Sequence, residues 1–188
     1  MTNNTFSRRA FALGAIASAG AVAACGNGVG SRGSGMIDAR VRATLDAMYR
    51  TYPNTRQLAD KSNGMLVMPL VTEAGLGFGG AYGRGALQVN NVTVDYYSVT
   101  KATGGLQIGA QQYAHVLFFM TEAALSDFRR SPGWAAGADL EYVISDRGES
   151  VEADTTTALA PVVAEVFGRA GLRLGAMLEG TKYSRIIP

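Results

Sequence analysis

The spacing of apolar and polar residues changes along the chain, and each change marks an element. In "IDARVRATLDAMYRTYP" the residues Ile37, Val41, Leu45, Met48 and Tyr52 recur at helical spacing, with Arg40, Arg42, Asp46 and Arg50 mostly on other faces. One amphipathic helix is predicted there. Its apolar stripe suits packing on its own domain, and its arginine rim leaves contact with lipid as another use of the same pattern. Asn54 stands where it would cap a shorter helix, "TRQLADKS", ended by Gly64. The strands begin at "MLVMPLVTE", where Pro69 lacks an N–H and so predicts an edge position or a bulge. Further on, "VTVDYYSVTKA", "GGLQIGAQQ" and "AHVLFFMT" are extended in character, and "TEAALSDFRRSP" predicts a helix from a Thr121 cap to a stop at Pro132. "GADLEYVIS" and "ESVEADTTT" flank "DRG", a hairpin-like turn. The segment "APVVAEVFGRAGLRLGAMLEGTKYSRII" supplies two or three more strands, with Gly168 and Gly171 marking a turn between them.

The stretch "EAGLGFGGAYGRGAL" holds six glycines between Gly75 and Gly85. Gly75, Gly77 and Gly80 fit the dinucleotide pattern GxGxxG, and Asp95 lies 20 residues beyond Gly75, about where a ribose-binding carboxylate belongs. That chemistry needs a helix to open directly after the glycines, so that its dipole faces the pyrophosphate. Here "AYGRGALQVNNVTVDYYSV" follows, broken by glycines and Asn90-Asn91 and then β-branched and aromatic, which reads as a strand. Gly75, Gly77 and Gly79 also alternate, so they would form one bare face of an extended strand while Leu76 and Phe78 project from the other. A bare face lets another backbone come close or lets a sheet bend. The pattern Gly-Leu-x-apolar-Gly occurs three times, at 75–79, 105–109 and 171–175, at unequal spacings that exclude a solenoid.

Residues 1–24 combine a polar start, Arg8-Arg9 and an uncharged run from Ala10 to Ala24, the pattern of a signal peptide and too short for a comfortable membrane span. "SRRAFAL" resembles a twin-arginine export signal, with the ordinary positive region of a general signal as the other reading. Cys25, the single cysteine, stands in "VAAC" before Gly26 and resembles a bacterial lipobox. By that resemblance Cys25 is the lipid anchor, and residues 25–35 form a lipidated cysteine followed by a glycine-serine tether. Gly26 rather than an aspartate after the cysteine favours the outer membrane. With one cysteine and one histidine, neither an intrachain disulfide nor a cysteine or histidine metal cluster can form, so no metal and no cofactor is expected. Cleavage before Cys25 removes two arginines and no acid, leaving 15 basic and 15 acidic residues. A neutral mature chain argues against nucleic acid as a partner.

Taken in order, "NGMLVMPLVTEAGLGFGGAYGRGAL", "GGLQIGAQQ" with "VLFFMTEAALSDF", "GADLEYVIS" and "GLRLGAMLEGT" resemble the SYLF domain family of lipid-binding proteins, from roughly Ala39 onward. The resemblance implies a single α+β domain, residues 36–188, with a curved, glycine-rich antiparallel β-sheet or barrel-like sheet and packed α-helices. It also implies binding to phospholipid membranes, with phosphoinositides bound by eukaryotic members, some of which bind actin too. The chain departs from the family in having Tyr97-Ser98 where a Trp-Ser pair is usual, in lacking a Gly-Pro after the "GADLEYVIS" region, and in ending soon after "LEGTKYS". The special N-terminal amphipathic helix of some eukaryotic members has no clear counterpart, and actin is an implausible partner for an exported bacterial lipoprotein.

The residues offer little to an enzyme. His115, the one histidine, sits in "YAHVLFFM" and is expected to be a half-buried structural residue. The domain has no GxSxG elbow, and the alternating carboxylates Asp139 with Glu141 and Glu152 with Asp154 have the look of a solvated strand face. The candidates for a lipid headgroup are Arg84, between Gly83 and Gly85, the Arg129-Arg130 pair, Lys101, Lys182 and Arg185. Arg129 and Arg130 also suit a helix C-terminus through its dipole, and the others suit plain solvation, so their convergence on one face is the deciding observation. The expectation is a non-catalytic, lipid-anchored protein of the bacterial outer membrane that binds phospholipid headgroups. The alternative is a structural or protein-interaction module whose partners are envelope proteins.

Overall fold

Asn90 and Asn91 both take positive φ, 51° and 62°. A two-residue turn of that geometry matches the right-handed twist of the strands it joins, and here it closes a very long hairpin. The computed structural model describes residues 32–136, 141–142, 160–168, 178 and 180–188. In it β1 runs from Gly64 to Val89 and β2 from Val92 to Phe119, paired from Val89↔Val92 at the turn to Gly64↔Phe119 at the far end. Sequence reading separated this stretch into several strands. The structure instead has two continuous ones, interrupted only by shifts of register. One shift falls between Met68 and Val71, the bulge that Pro69 predicts, and another between Leu76 and Phe78.

At that second shift the hairpin folds over on itself. Leu76 pairs with Ile108 and Phe78 with Gly104, so β2 spends three residues on the bend where β1 spends one. A Cβ placed on Gly75 would lie 2.9 Å from Gly79 Cα, and one on Gly83 would lie 2.6 Å from the Leu70 carbonyl oxygen. On Gly85 it would run into the Val67 carbonyl and Met68 Sδ. All three contacts are centred on residues 76 and 77, which locates the fold. The bare strand face thus serves close backbone approach, as its composition implies, and Gly83 and Gly85 extend the contact between the two halves of β1 beyond the bend.

Each half of the hairpin then recruits partners. The half near Phe119 pairs with β5 (Val162–Gly168), which pairs with β4 (Glu141–Tyr142). The half near the Asn90-Asn91 turn pairs with β6 (Lys182–Ile186), which pairs with β3 (Trp134–Ala135). All these pairings are antiparallel except the short β4–β5 contact, which is parallel. The result is an α+β fold around a curled, half-barrel sheet.

The inner faces enclose one core, built from Leu66, Met68, Leu87, Tyr97, Leu117, Phe119 and Tyr183 among others. The helix α1 (Gly33–Thr51) covers part of the outer face, where Ile37, Val41, Leu45 and Met48 meet Met65, Val67, Val116 and Phe118 in a second core. Its apolar stripe is therefore spent on the sheet. The helix begins at Gly33, so its first turn occupies the end of the segment read as tether. The helix α2 (Thr55–Lys61) follows without the expected Asn54 side-chain cap; instead Thr55 Oγ1 donates to the Tyr52 carbonyl at 2.6 Å. The predicted "DRG" turn, the 171–175 glycine pattern, Asp139, Glu152, Asp154 and the segment 1–31 with Cys25 lie outside the described residues.

Candidate functional site

The helix α3 (Glu122–Arg130) forms as its sequence requires: Thr121 Oγ1 accepts a hydrogen bond from Ala124 N at 3.2 Å, and the helix ends just before Pro132. Leu125 and Phe128 face the inner core. The Phe128 ring sits 4.7 Å from Tyr97, 4.8 Å from Phe119 and 5.5 Å from Trp134 between centroids, an aromatic cluster that fixes the helix over the turn end of the hairpin. Tyr97 is thus a buried wall for α3.

This packing sets Arg129 beside β6. Tyr97 pairs with Arg185 across β2 and β6, and Asp95 lies two residues before Tyr97 on the same face. Asp95 Oδ2 is 3.2 Å from Arg129 Nε, and Asp95 Oδ1 is 3.5 Å from Arg185 Nε. Arg185 Nη2 donates to the Arg129 carbonyl at 2.9 Å. One mostly buried carboxylate therefore orients two guanidinium groups, each about half exposed. Arg130 donates to Ser126 Oγ at 2.6 Å and lies 3.5 Å from Asp127. Both members of that last pair are about three-quarters exposed, so it holds the side chain only weakly.

Glu122, Leu125, Ser126, Arg129, Arg130 and Arg185 line a depression of about 390 Å³. Its lining carries three arginines and one glutamate, with Asp95 and Asp127 paired to those arginines beside it, and exposed guanidinium groups suit a phosphate or carboxylate. Of the six basic candidates, these three converge. Arg84 and Lys182 fall elsewhere, on the outer face of the sheet: Arg84 pairs with Ser98, which pairs with Ser184, and Thr100 pairs with Lys182 in the next row. Lys101, opposite Ala81, points to the inner side. Asp95, the position that tempts a ribose-binding reading, is instead the clamp of the arginine pair; no local signal in the sequence marks that role. Sequence reading also passed over Arg56, whose guanidinium lies 4.7 Å above the Tyr49 ring in a second depression of about 360 Å³ with Asp60, Asn90 and Asn91.

His115 is not half-buried but wholly enclosed in the inner core, away from both depressions. The reason is the curl of the sheet, which brings Tyr183 of β6 across the interior so that its hydroxyl meets His115 Nε2 at 2.8 Å. Burial pushes the imidazole down to about 3 and the neighbouring Tyr113 hydroxyl up to about 12, the latter with help from Glu73. Among the described residues, no group of three or more histidine, cysteine, aspartate or glutamate side chains is placed to hold a metal ion.

No curated protein matches the chain. Residues 100–185, which take in most of β2, all of α3, the aromatic cluster apart from Tyr97, and Arg185, match the family model Ysc84, described as Las17-binding protein actin regulator. Over these residues, somewhat less than half of the chain, the sequence is similar to the Ysc84 or SYLF domain.

Proposed function

We propose that this is a non-catalytic, lipid-anchored protein of the bacterial outer membrane whose SYLF domain binds anionic phospholipid headgroups. The observation that carries the reading is the basic depression formed by Arg129, Arg130 and Arg185 at one end of the sheet. Guanidinium groups oriented by Asp95 and Ser126 offer several donors to one phosphate, the property that makes arginine an effective phosphate ligand. The anchor is assigned to Cys25, and the twin-arginine stretch Arg8-Arg9 to export of the folded chain.

The two parts are tested separately. Cys25→Ser is expected to move the protein from the membrane fraction to the soluble one; a variant that stays membrane-bound through high-salt washing would remove the acyl anchor from the proposal. The same Cys25→Ser chain then serves for vesicle binding. Association with phosphatidylcholine vesicles containing phosphatidylglycerol should exceed that with phosphatidylcholine alone and should weaken as salt shortens the Debye length toward about 8 Å. Arg130→Glu is the informative substitution, because its exposed partners make it nearly silent for stability. It should lower affinity for the anionic vesicles several-fold and flatten the salt dependence. Equal binding by the variant would separate the depression from lipid recognition.

A second reading follows from the family description, which names a protein-binding activity: the domain would be a protein-interaction module of the envelope. Absence of vesicle binding at low salt by the Cys25→Ser chain would favour it.

A further inference from the structure

The hairpin folds most sharply beside a large apolar side chain that stands in water. From Ala74 to Ala81 the chain reads "AGLGFGGA", without a polar side chain, and Phe78 within it is 88 % exposed. Gly75 lies so close to Gly79 that the intervening residues stand out as a convex corner. Phe78 and Tyr82 are four residues apart in a stretch of unbroken register, so they share the outer face, and Tyr82 is 54 % exposed. The helix α1 covers that face only around Met65, Val67, Ala86 and Val116, well short of the corner. Single exposed apolar residues are ordinary; a bend whose β1 side has no polar residue and presents a bare phenylalanine is not.

The charges on the outer side of the corner have one sign. Along the outer face from Phe78 to Arg84, with the cross-strand partners on β2 and β6, the described charged residues are Arg84 and Lys182. The nearest acid along the chain, Glu73, is 4 % exposed and accepts a hydrogen bond from Gln111 Nε2 at 3.2 Å, facing the interior. A convex tip of this size offers far less than the roughly 800 Å² per partner of a stable protein interface. A bilayer has no such requirement, since its interface closes around any apolar projection.

We propose that the Phe78 corner enters the interfacial region of an anionic phospholipid bilayer, with Tyr82 at headgroup level and Lys182 facing the phosphates. Aromatic rings favour that depth because one end is apolar and the other wet. The proposal rests on the lipid-binding reading and adds a contact distinct from the arginine depression. The corner lies ten residues along β1 from Leu87, the partner of Asp95, or about 30 Å of strand.

The Cys25→Ser chain and vesicles of phosphatidylcholine with phosphatidylglycerol provide the test. Phe78→Ser should weaken binding by about tenfold, the scale of losing one buried aromatic contact, and the loss should persist at high salt. Because Phe78 is exposed, the melting temperature should stay unchanged. Phe78→Trp should bind like the parent chain and show blue-shifted emission quenched by brominated acyl chains, beyond the Trp134 signal of the parent chain. Undiminished binding by Phe78→Ser, or a tryptophan at 78 that stays water-exposed on vesicles to which the chain is bound, overturns the corner and leaves lipid binding intact. A parent chain that binds no vesicles overturns both.

Discussion

Replacing Gly85 by valine is expected to destabilise the domain by about 3 kcal/mol or more, a large share of the 5–15 kcal/mol typical of a folded domain. A Cβ at this position runs into the Val67 carbonyl and lies 2.5 Å from Met68 Sδ. The sulfur can swing away, but the carbonyl cannot, because Val67 is fixed in the ladder opposite Val116 and its side chain is buried beneath α1. Relief would require the two halves of β1 to separate, opening the inner core along its length. Gly85→Ala should show the same effect in milder form. Gly35→Ala is the control: a Cβ there meets nothing within 4 Å in the first turn of α1, and removing backbone freedom should raise stability by up to about 1 kcal/mol. Urea unfolding of the Cys25→Ser chain with each substitution measures the differences. A Gly85→Val midpoint equal to the parent's would mean that the halves of β1 do not approach as closely as the structure has them.

The elements that sequence reading placed well are those whose causes are local. Ile37, Val41, Leu45 and Met48 form a stripe because of helical period alone, and all four are buried. Thr121 caps α3 because a hydroxyl three residues before Ala124 reaches its N–H, and Pro69 breaks a ladder wherever that ladder runs. What escaped is set by contacts between distant segments. The alternation of Gly75, Gly77 and Gly79 gives the type of role, close backbone approach, but not the partner. Only the fold centred on residues 76 and 77 makes Gly83 and Gly85 the pair that touches Leu70 and Val67. Likewise, several predicted strands become two because continuity across a glycine-rich bend depends on pairing with β2 at each step.

The site was legible in the same proportion. Arg129 and Arg130 follow from the end of α3, which the sequence defines. Their association with Arg185 depends on Tyr97 serving as a wall for Phe128 and on Asp95 standing one alternation away, neither of which a single sequence exposes. The four basic residues on strands therefore divide according to strand parity, and the two on α3 according to how that helix packs. Arg84 and Lys182 go to the outer face, Lys101 to the inner side, and three to the depression. That division gives the outer face and the depression different expected signatures, a salt-resistant loss for Phe78 and a salt-sensitive one for Arg130.

Acidification from pH 7 to pH 5 is expected to cost the domain about 2 kcal/mol through His115 alone. The imidazole is enclosed, its Nε2 is paired with the Tyr183 hydroxyl, and Nδ1 has no hydrogen-bond partner among the described residues, so the charged form would bury a donor with no acceptor. Desolvation accordingly lowers its folded value to about 3 from the ordinary 6.5. The folded value is the depressed one, so the stabilisation is fully present above about pH 6.5, where neither state binds the proton. As pH falls below that, the unfolded chain takes up a proton that the folded one refuses, and stability declines down to about pH 3. The slope approaches about 1.4 kcal/mol per pH unit, that of one proton. Because the chain has a single histidine, the interval between pH 6.5 and 5 reports on it before most carboxylates titrate. His115→Gln keeps a polar partner for Tyr183 and removes the titration, so its stability should be nearly flat across that interval whatever its absolute value. Tyr183→Phe removes the hydrogen bond but leaves the imidazole buried, and it should keep the slope. A parent chain as flat as His115→Gln between pH 6.5 and 5 would show that His115 is not enclosed as a neutral ring.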